Sequence, residues 1–251
     1  MDEKNLLSPR LSEIMVDFLD SIKSIYLRHP KAEPHIKADG TPVTALDLEL
    51  SSLIEGMSQQ HFPQATIYSE ENYSAWSFPL LAIDPLDGTR EYLSGRPEWS
   101  VSIGLFNSEN FGGEGWVYNP STNELFSSDL KKTILATKSV YEGEVSRSEW
   151  EKGLYQTFQT PKFLLQPKGS IAYKLGRLAA GKIDFVVSLT PKNIWDVAGG
   201  SLLCSRSGIK FYSQGKEVKK VEQVYEPPLI WCSSELSSEL LELFCSRDKY
   251  L

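Results

Sequence analysis

The chain has 251 residues, a formal net charge of −7 and a 41% share of hydrophobic residues. That apolar share is enough to bury a sizeable core and excludes a disordered chain, while the acidic balance, with no run of Lys or Arg, argues against a nucleic-acid polymer as partner. Three cysteines, Cys204, Cys232 and Cys245, form no C-x-x-C pattern, and no apolar leader or run of about 18 apolar residues occurs, so a soluble, cytoplasmic protein with no membrane partner is expected.

The first predicted helix carries Leu11, Ile14, Met15, Phe18, Leu19, Ile22 and Ile25 at steps of three and four, with Ser8 suited to cap it and Pro9 to its first turn. A turn is expected at Asp39-Gly40. A second helix begins near Thr44 and aligns Leu46, Leu50, Leu53, Ile54 and Met57. Extended runs follow at Ala65 to Tyr68, at Leu80 to Ile83 (ending abruptly at Asp84-Pro85), at Trp99 to Phe106 and at Gly115 to Tyr118, with a turn at Asn119-Pro120. Residues 137 to 160 show no clear period, and a boundary between two lobes, 1–136 and 137–251, is expected there. Beyond them, helices at Ser170 to Ala180, Val197 to Arg206 and Ser234 to Cys245 alternate with strands at Ile183 to Leu189 and Leu229 to Cys232. Alternation of this kind predicts layered α/β packing.

The chemistry concentrates in Asp84-Pro85-Leu86-Asp87-Gly88-Thr89, where an apolar strand delivers one carboxylate to its end and a second follows three residues on. Strand ends in α/β sheets bind ligands, and a helix start offers unpaired N–H groups to a phosphate. Two carboxylates beside a phosphate repel it unless hard divalent cations intervene. Taken alone, the segment also reads as a plain turn, because Asp-Pro and Asp-Gly are common turn formers. The other acidic positions have bland readings too. Glu70-Glu71 is a solvated edge, Asp196 an N-cap, and Thr44 with Asp47 a capping box. His29, His35 and His61 lack metal-ligand spacing, so a phosphohistidine or Ser-His-Asp mechanism is hard to build.

Taken together, these residues resemble the inositol monophosphatase family of lithium-sensitive, metal-dependent phosphatases. The D-P-[IL]-D-G-T signature stands at Asp84 to Thr89, followed by Tyr92 and by Ser102-Ile103-Gly104-Leu105. W-D-x-A-[AG]-G stands at Trp195 to Gly200, G-E-E as Ser69-Glu70-Glu71, V-T-x-x-D at Val43 to Asp47 after Lys37 to Pro42, and G-S as Gly169-Ser170. The resemblance runs from about residue 35 to 208. It implies an α/β/α/β/α sandwich, a homodimer and hydrolysis of a small phosphorylated metabolite with two or three Mg²⁺. By matching position it assigns Glu70, Asp84 and the Leu86 carbonyl to a first metal, Asp84, Asp87 and Asp196 to a second, and Glu70 to a weaker third. Thr89, helped by Asp47, would orient the attacking water; the N–H groups of Gly88 and Thr89 would hold the phosphate, with Gly169, Ser170 and Asp196 contributing substrate contacts.

The sequence departs from the family at Ser69, at Ser205 to Ile209 in place of E-A-G-G, and before Trp195. There, inositol-specific members carry a ring-binding glutamate, whereas Val187 to Ile194 holds no carboxylate. Lys192 and Asn193 are either exposed loop residues or contacts to a second anionic or polar group. The run Arg90 to Glu98 also resembles members that remove the 3′-phosphate of 3′-phosphoadenosine 5′-phosphate, with Arg96 a phosphate contact or a turn residue. Inositol phosphate and that nucleotide are therefore close competitors, with fructose bisphosphate third. A non-catalytic partner-binding protein is the remaining reading, and a broken metal set would mark it; here the set is whole.

Overall fold

The computed structural model describes residues 8–29, 34–36, 42–70, 73, 75–128 and 138–245, with backbone alone at 8–16 and 42. The expected turn at Asp39-Gly40, residue Glu71 and the expected lobe boundary at 136/137 lie outside the described residues.

Two helices come first, α1 (Ser8–Arg28) and α2 (Ala45–His61), separated by the ribbon β1 (His35–Ile36) and β2 (Pro42–Val43). The apolar stripe of α1 buries Phe18, Ile22 and Ile25; its earlier positions Leu11, Ile14 and Met15 lie outside the described side chains. Leu46, Leu50 and Ile54 form the buried face of α2. Thr44 and Asp47 make the capping box read from sequence, with Thr44 N donating to Asp47 Oδ2 at 2.7 Å and Asp47 N to Thr44 Oγ1 at 3.3 Å.

The first sheet has the order β3 (Thr66–Ser69), β4 (Leu80–Asp87), β5 (Ser100–Phe106), β6 (Gly113–Asn119) and β7 (Glu124–Ser127), with α3 (Thr89–Leu93) between β4 and β5. β4 does not stop at Ile83 as expected; it continues to Asp87 through a register shift against β5 between Asp84 and Asp87. Pro85 sits within that irregularity, where no ladder N–H is required, and Leu86 N donates instead to Asp84 Oδ1 at 2.9 Å.

The stretch 137–160 contains β8 (Tyr141–Ser146), α4 (Arg147–Glu151) and a 3₁₀ turn at Gln156–Phe158. Next come β9 (Phe163–Lys168), α5 (Ile171–Ala179), β10 (Phe185–Ser188), β11 (Lys192–Asn193), α6 (Ile194–Arg206), β12 (Lys210–Ser213), β13 (Lys216–Glu217), β14 (Val224–Tyr225), β15 (Leu229–Cys232) and α7 (Ser234–Cys245). The second sheet has the order β13-β12-β15-β10-β8-β9, and β8, β9 and β10 run parallel. Helix α6 starts three residues earlier than expected, so Asp196 is not its N-cap. It sits in the first turn and accepts from Asn193 N at 2.9 Å.

Strand alternation produces the layers. Leu80 and Ala82 point into a core shared with α5 and α6, while Leu81 and Ile83 point to the opposite core under α1 and α2. On β15, Leu229 and Trp231 enter the shared core, and Ile230 and Cys232 face a third core with Leu236, Leu240 and Phe244 of α7. The order is therefore α1/α2, first sheet, α5/α6, second sheet, α7: the α/β/α/β/α sandwich. No described helix is long and apolar enough to cross a membrane.

Candidate active site

The site lies in a cleft of about 360 Å³, into which β4, α2, the loop after β3 and the starts of α3, α5 and α6 all bring side chains. Glu70, Asp84, Asp87 and Asp196 line it, together with Asp47, Gly88 and Thr89. Residues 47, 70, 84, 86–89 and 196 thus meet in space, and Gly169 and Ser170 close one side.

Gly88 turns the chain with φ +99° at the start of α3. A Cβ there would stand 3.0 Å from Glu98 O and 3.2 Å from Ser170 Cβ, so both conformation and space require glycine. Thr89 Oγ1, just beyond, donates within reach of Asp47 Oδ1 (3.3 Å) and Leu86 O (3.2 Å). Asp47 is in turn fixed through Oδ2 by Thr44 N and by Thr44 Oγ1 at 2.6 Å.

Each of three carboxylates is held through one oxygen. Asp84 Oδ1 accepts from Leu86 N, Asp196 Oδ2 from Asn193 N, and Asp87 Oδ2 from Ser170 Oγ and Ala172 N, both at 2.6 Å. The opposite oxygens make no hydrogen bond to a described residue. Burial raises Asp84 well above the usual carboxylate range, and the negative charges of Asp87, Asp196 and Glu70 add to the rise. Asp196 is pushed up to about 7 by burial, then by Asp87. Burial also raises Asp87, against the Ser170 hydrogen bond and the Lys174 charge. Buried carboxylates with raised pKa values call for positive charge.

Among the described residues, no three His, Cys, Asp or Glu side chains converge closely enough to hold an ion by themselves. Mg²⁺ does not need such a cage: it takes one or two carboxylates and completes its octahedron with waters and phosphate oxygens. The donor set, all oxygen and including the Leu86 carbonyl, fits that ion and does not suit a soft metal.

Two buried residues in or beside the cleft, Lys174 and Glu149, carried no sequence signal. Lys174 is buried on α5 and donates to Lys168 O (3.0 Å) and Gly169 O (3.3 Å); burial lowers it to about 8. Its place on the apolar stripe, three residues after Ile171 and four before Leu178, marks it in retrospect. Gly169 N donates to Glu98 Oε2 at 3.0 Å, so this N–H is engaged by protein. Buried Glu149 is reached by Ser188 Oγ (2.8 Å), Leu189 N (2.9 Å), Thr190 Oγ1 and Tyr155. Burial acts to raise its pKa, but these donors and the Lys192 charge outweigh that and hold it low. Lys192 lines the cleft with a side chain 18% exposed. Arg96 is exposed, its N–H closing a turn onto Glu91 O.

A model described as the inositol monophosphatase family matches residues 22–248. Inositol monophosphatase 3 of Solanum lycopersicum is 29% identical, over 66% of this chain and 71% of that protein. The 3′(2′),5′-bisphosphate nucleotidase CysQ of Escherichia coli (strain K12) is 25% identical, over 78% and 87%. Among solved structures, the Thermotoga maritima IMPase superposes with a TM-score of 0.79 at 22% identity, over 94% and 96% of the two chains. An IMPase/NADP phosphatase complexed with Mg²⁺ and phosphate superposes with a TM-score of 0.73 at 15% identity, over 94% and 95%. The fold is common to them, and with its match over nearly the whole length this chain belongs to the inositol monophosphatase family of phosphatases.

Proposed function

We propose that the chain is a Mg²⁺-dependent phosphomonoesterase in which water attacks phosphorus directly. Glu70, Asp84, Asp87, Asp196 and the Leu86 carbonyl are the groups that would hold two or three ions. The observation that carries this reading is the set of buried, mutually repelling carboxylates beside the Thr89–Asp47 pair. Bound Mg²⁺ supplies positive charge against the phosphate and lowers the pKa of water toward neutrality.

The protein's own groups do the positioning. Thr89 directs its proton toward Asp47 and Leu86 O, so its lone pairs face outward to accept from the attacking water. Asp47, clamped by Thr44, fixes the far end of that chain. The N–H groups of Gly88 and Thr89 hold the phosphate. Gly169 and Ser170 shape the opposite side, Ser170 by anchoring Asp87. Positioning and charge neutralisation are most of what phosphoryl transfer requires.

The substrate in this reading is a phosphate monoester of a small polyol, sugar or nucleotide. One observation favours the nucleotide or another doubly charged ester over inositol phosphate. Lys192 stands in the cleft wall, in a segment without the ring-binding glutamate. The test is phosphate release from inositol 1-phosphate, 3′-phosphoadenosine 5′-phosphate and fructose 1,6-bisphosphate, with Mg²⁺ and with EDTA. Release from at least one, abolished by EDTA, is expected; release untouched by EDTA would overturn the reading.

A further inference from the structure

Glu70 stands just past the end of its ladder. The pairing of β3 with β4 closes at Ser69 opposite Ile83, and Glu70 is the next residue. Its negative charge acts against both Asp84 and Asp196. Repulsion of that kind pushes the loop after β3 away from the start of α6. What opposes it is a group of aromatic rings on either side of Glu70, to which the phosphatase reading gives no role.

Tyr68, two residues before Glu70, packs on Trp195 with ring centroids 5.6 Å apart and planes at 38°. Tyr73, three residues after Glu70, reaches the same indole at 6.1 Å and 33°. The two tyrosines also meet each other at 6.5 Å and 66°, and Trp76 stands edge-on to Tyr68 at 5.0 Å. All four separations fall in the range of favourable ring pairs. Trp195 immediately precedes Asp196 in the first turn of α6. One indole therefore grips the chain on both sides of Glu70, and its own neighbour is a carboxylate that Glu70 repels. Tyr68 and Trp195 belong to the core shared with α5 and α6. Tyr73 does not: it is 62% exposed, the one aromatic among the exposed large hydrophobic side chains of the described residues. Its ring is the outermost of the three and adds little to the core.

We infer that Tyr73 is a positioning residue: with Tyr68 it clasps Trp195, and the clasp keeps Glu70 beside Asp196 in the metal-free protein, so that Mg²⁺ meets a preassembled site. The inference rests on the phosphatase reading for the identity of the metal set. None of the three rings lines the cleft, so the clasp acts through the metal-holding residues and not on the phosphate. An ion whose competent site is assembled for only part of the time binds more weakly in proportion to that fraction. Loosening the clasp therefore lowers Mg²⁺ affinity and leaves the chemistry of the loaded enzyme unchanged.

Calorimetric titration of the full chain with MgCl₂, in the absence of any substrate, tests it on the unaltered protein, Tyr73→Ala and Tyr73→Phe. Tyr73→Ala should raise the Mg²⁺ Kd by about three- to tenfold, the scale of one aromatic pair. Tyr73→Phe keeps the ring and should keep the Kd of the unaltered protein. Because Tyr73 is exposed, the urea midpoint in EDTA should be the same for all three, which separates the effect from a general loss of stability. At saturating Mg²⁺, kcat for p-nitrophenyl phosphate should also be the same for all three. A Kd that Tyr73→Ala leaves unchanged, or that Tyr73→Phe raises equally, would overturn the clasp while leaving the metal set in place. A folded, unaltered protein that binds no Mg²⁺ would overturn the metal set, and the clasp with it.

Discussion

Ser170 donates its hydroxyl hydrogen to Asp87 Oδ2 at 2.6 Å, joining the start of α5 to the end of β4 across 83 positions of chain. The same hydroxyl accepts from Tyr173 N at 3.0 Å, and Ala172 N donates to the same Asp87 oxygen. Ser170 holds φ at +52°, a left-handed conformation that non-glycine residues avoid. Its two hydroxyl contacts, and Lys174 N donating to its carbonyl at 3.2 Å, hold that backbone. Asp87 is therefore aimed by a helix of the opposite half of the chain.

Ser170→Ala removes the cap and the Asp87 contact while leaving the unfavourable φ. Stability should fall by about 1–2 kcal/mol, the usual worth of a lost cap and hydrogen bond. Urea unfolding would read the loss, and kcat for p-nitrophenyl phosphate should drop with it because Asp87 is released.

Asp84→Asn should separate stability from function. Asp84 is buried among negative charges, so a neutral side chain of the same shape relieves repulsion. In EDTA the variant should unfold at a urea concentration equal to or above that of the unaltered protein. With Mg²⁺ present, its kcat should be lower by at least about 100-fold, the scale seen when one charge-stabilising group is lost. Retention of activity would remove Asp84 from the proposed metal set.

The same electrostatics set a pH dependence. Asp196 titrates near 7 in the fold and near 4 when unfolded, so between those values the native state binds the more protons. Stability in EDTA should therefore be greatest at the acidic end of that window, fall as pH rises toward about 7, and level off above it. Asp84 and Asp87, also raised, act in the same direction. Mg²⁺ should flatten the profile by taking the place of the protons, and Asp196→Asn should reduce its slope. Urea midpoints at pH 5, 6, 7 and 8, with and without Mg²⁺, give the answer.

Helix α6 reaches the first sheet through small residues. A Cβ on Gly104 would come within 2.6 Å of Ala198 Cβ and 2.9 Å of its backbone carbon. The S-I-G-L and W-D-x-A-G-G motifs therefore touch each other, which gives both a packing reason. Gly104→Ala should cost about 1–3 kcal/mol by overpacking. It should also weaken Mg²⁺ activation, because the displaced helix carries Asp196. Urea unfolding and a Mg²⁺ titration of activity check the two effects.

Much of this organisation was legible in order along the chain. The apolar run before Asp84 announced a strand that delivers a carboxylate, and the Thr44–Asp47 spacing announced a real capping box. What escaped reading depends on partners far away in sequence. The strand Tyr141–Ser146 looks polar in part because it carries Glu144, a residue that is buried and met there by Arg177 of α5. Glu149 gathers donors from residues 188–190, about forty positions on, and no local pattern records that. Pro85 suggested a strand end because a bulge that excuses a missing N–H has no distinct signature. Asp196 looked like an N-cap because Asn193, three residues earlier, offered an equally good start.

The most direct test of the account is the turnover of p-nitrophenyl phosphate by Asp87→Asn in saturating Mg²⁺, with circular dichroism on the same sample. Asparagine keeps an oxygen to accept from Ser170 or Ala172, so the fold should persist while the charge beside the phosphate is lost. A native spectrum and a kcat lower by about 100-fold or more are expected. A folded variant with near-native, Mg²⁺-dependent turnover would contradict it.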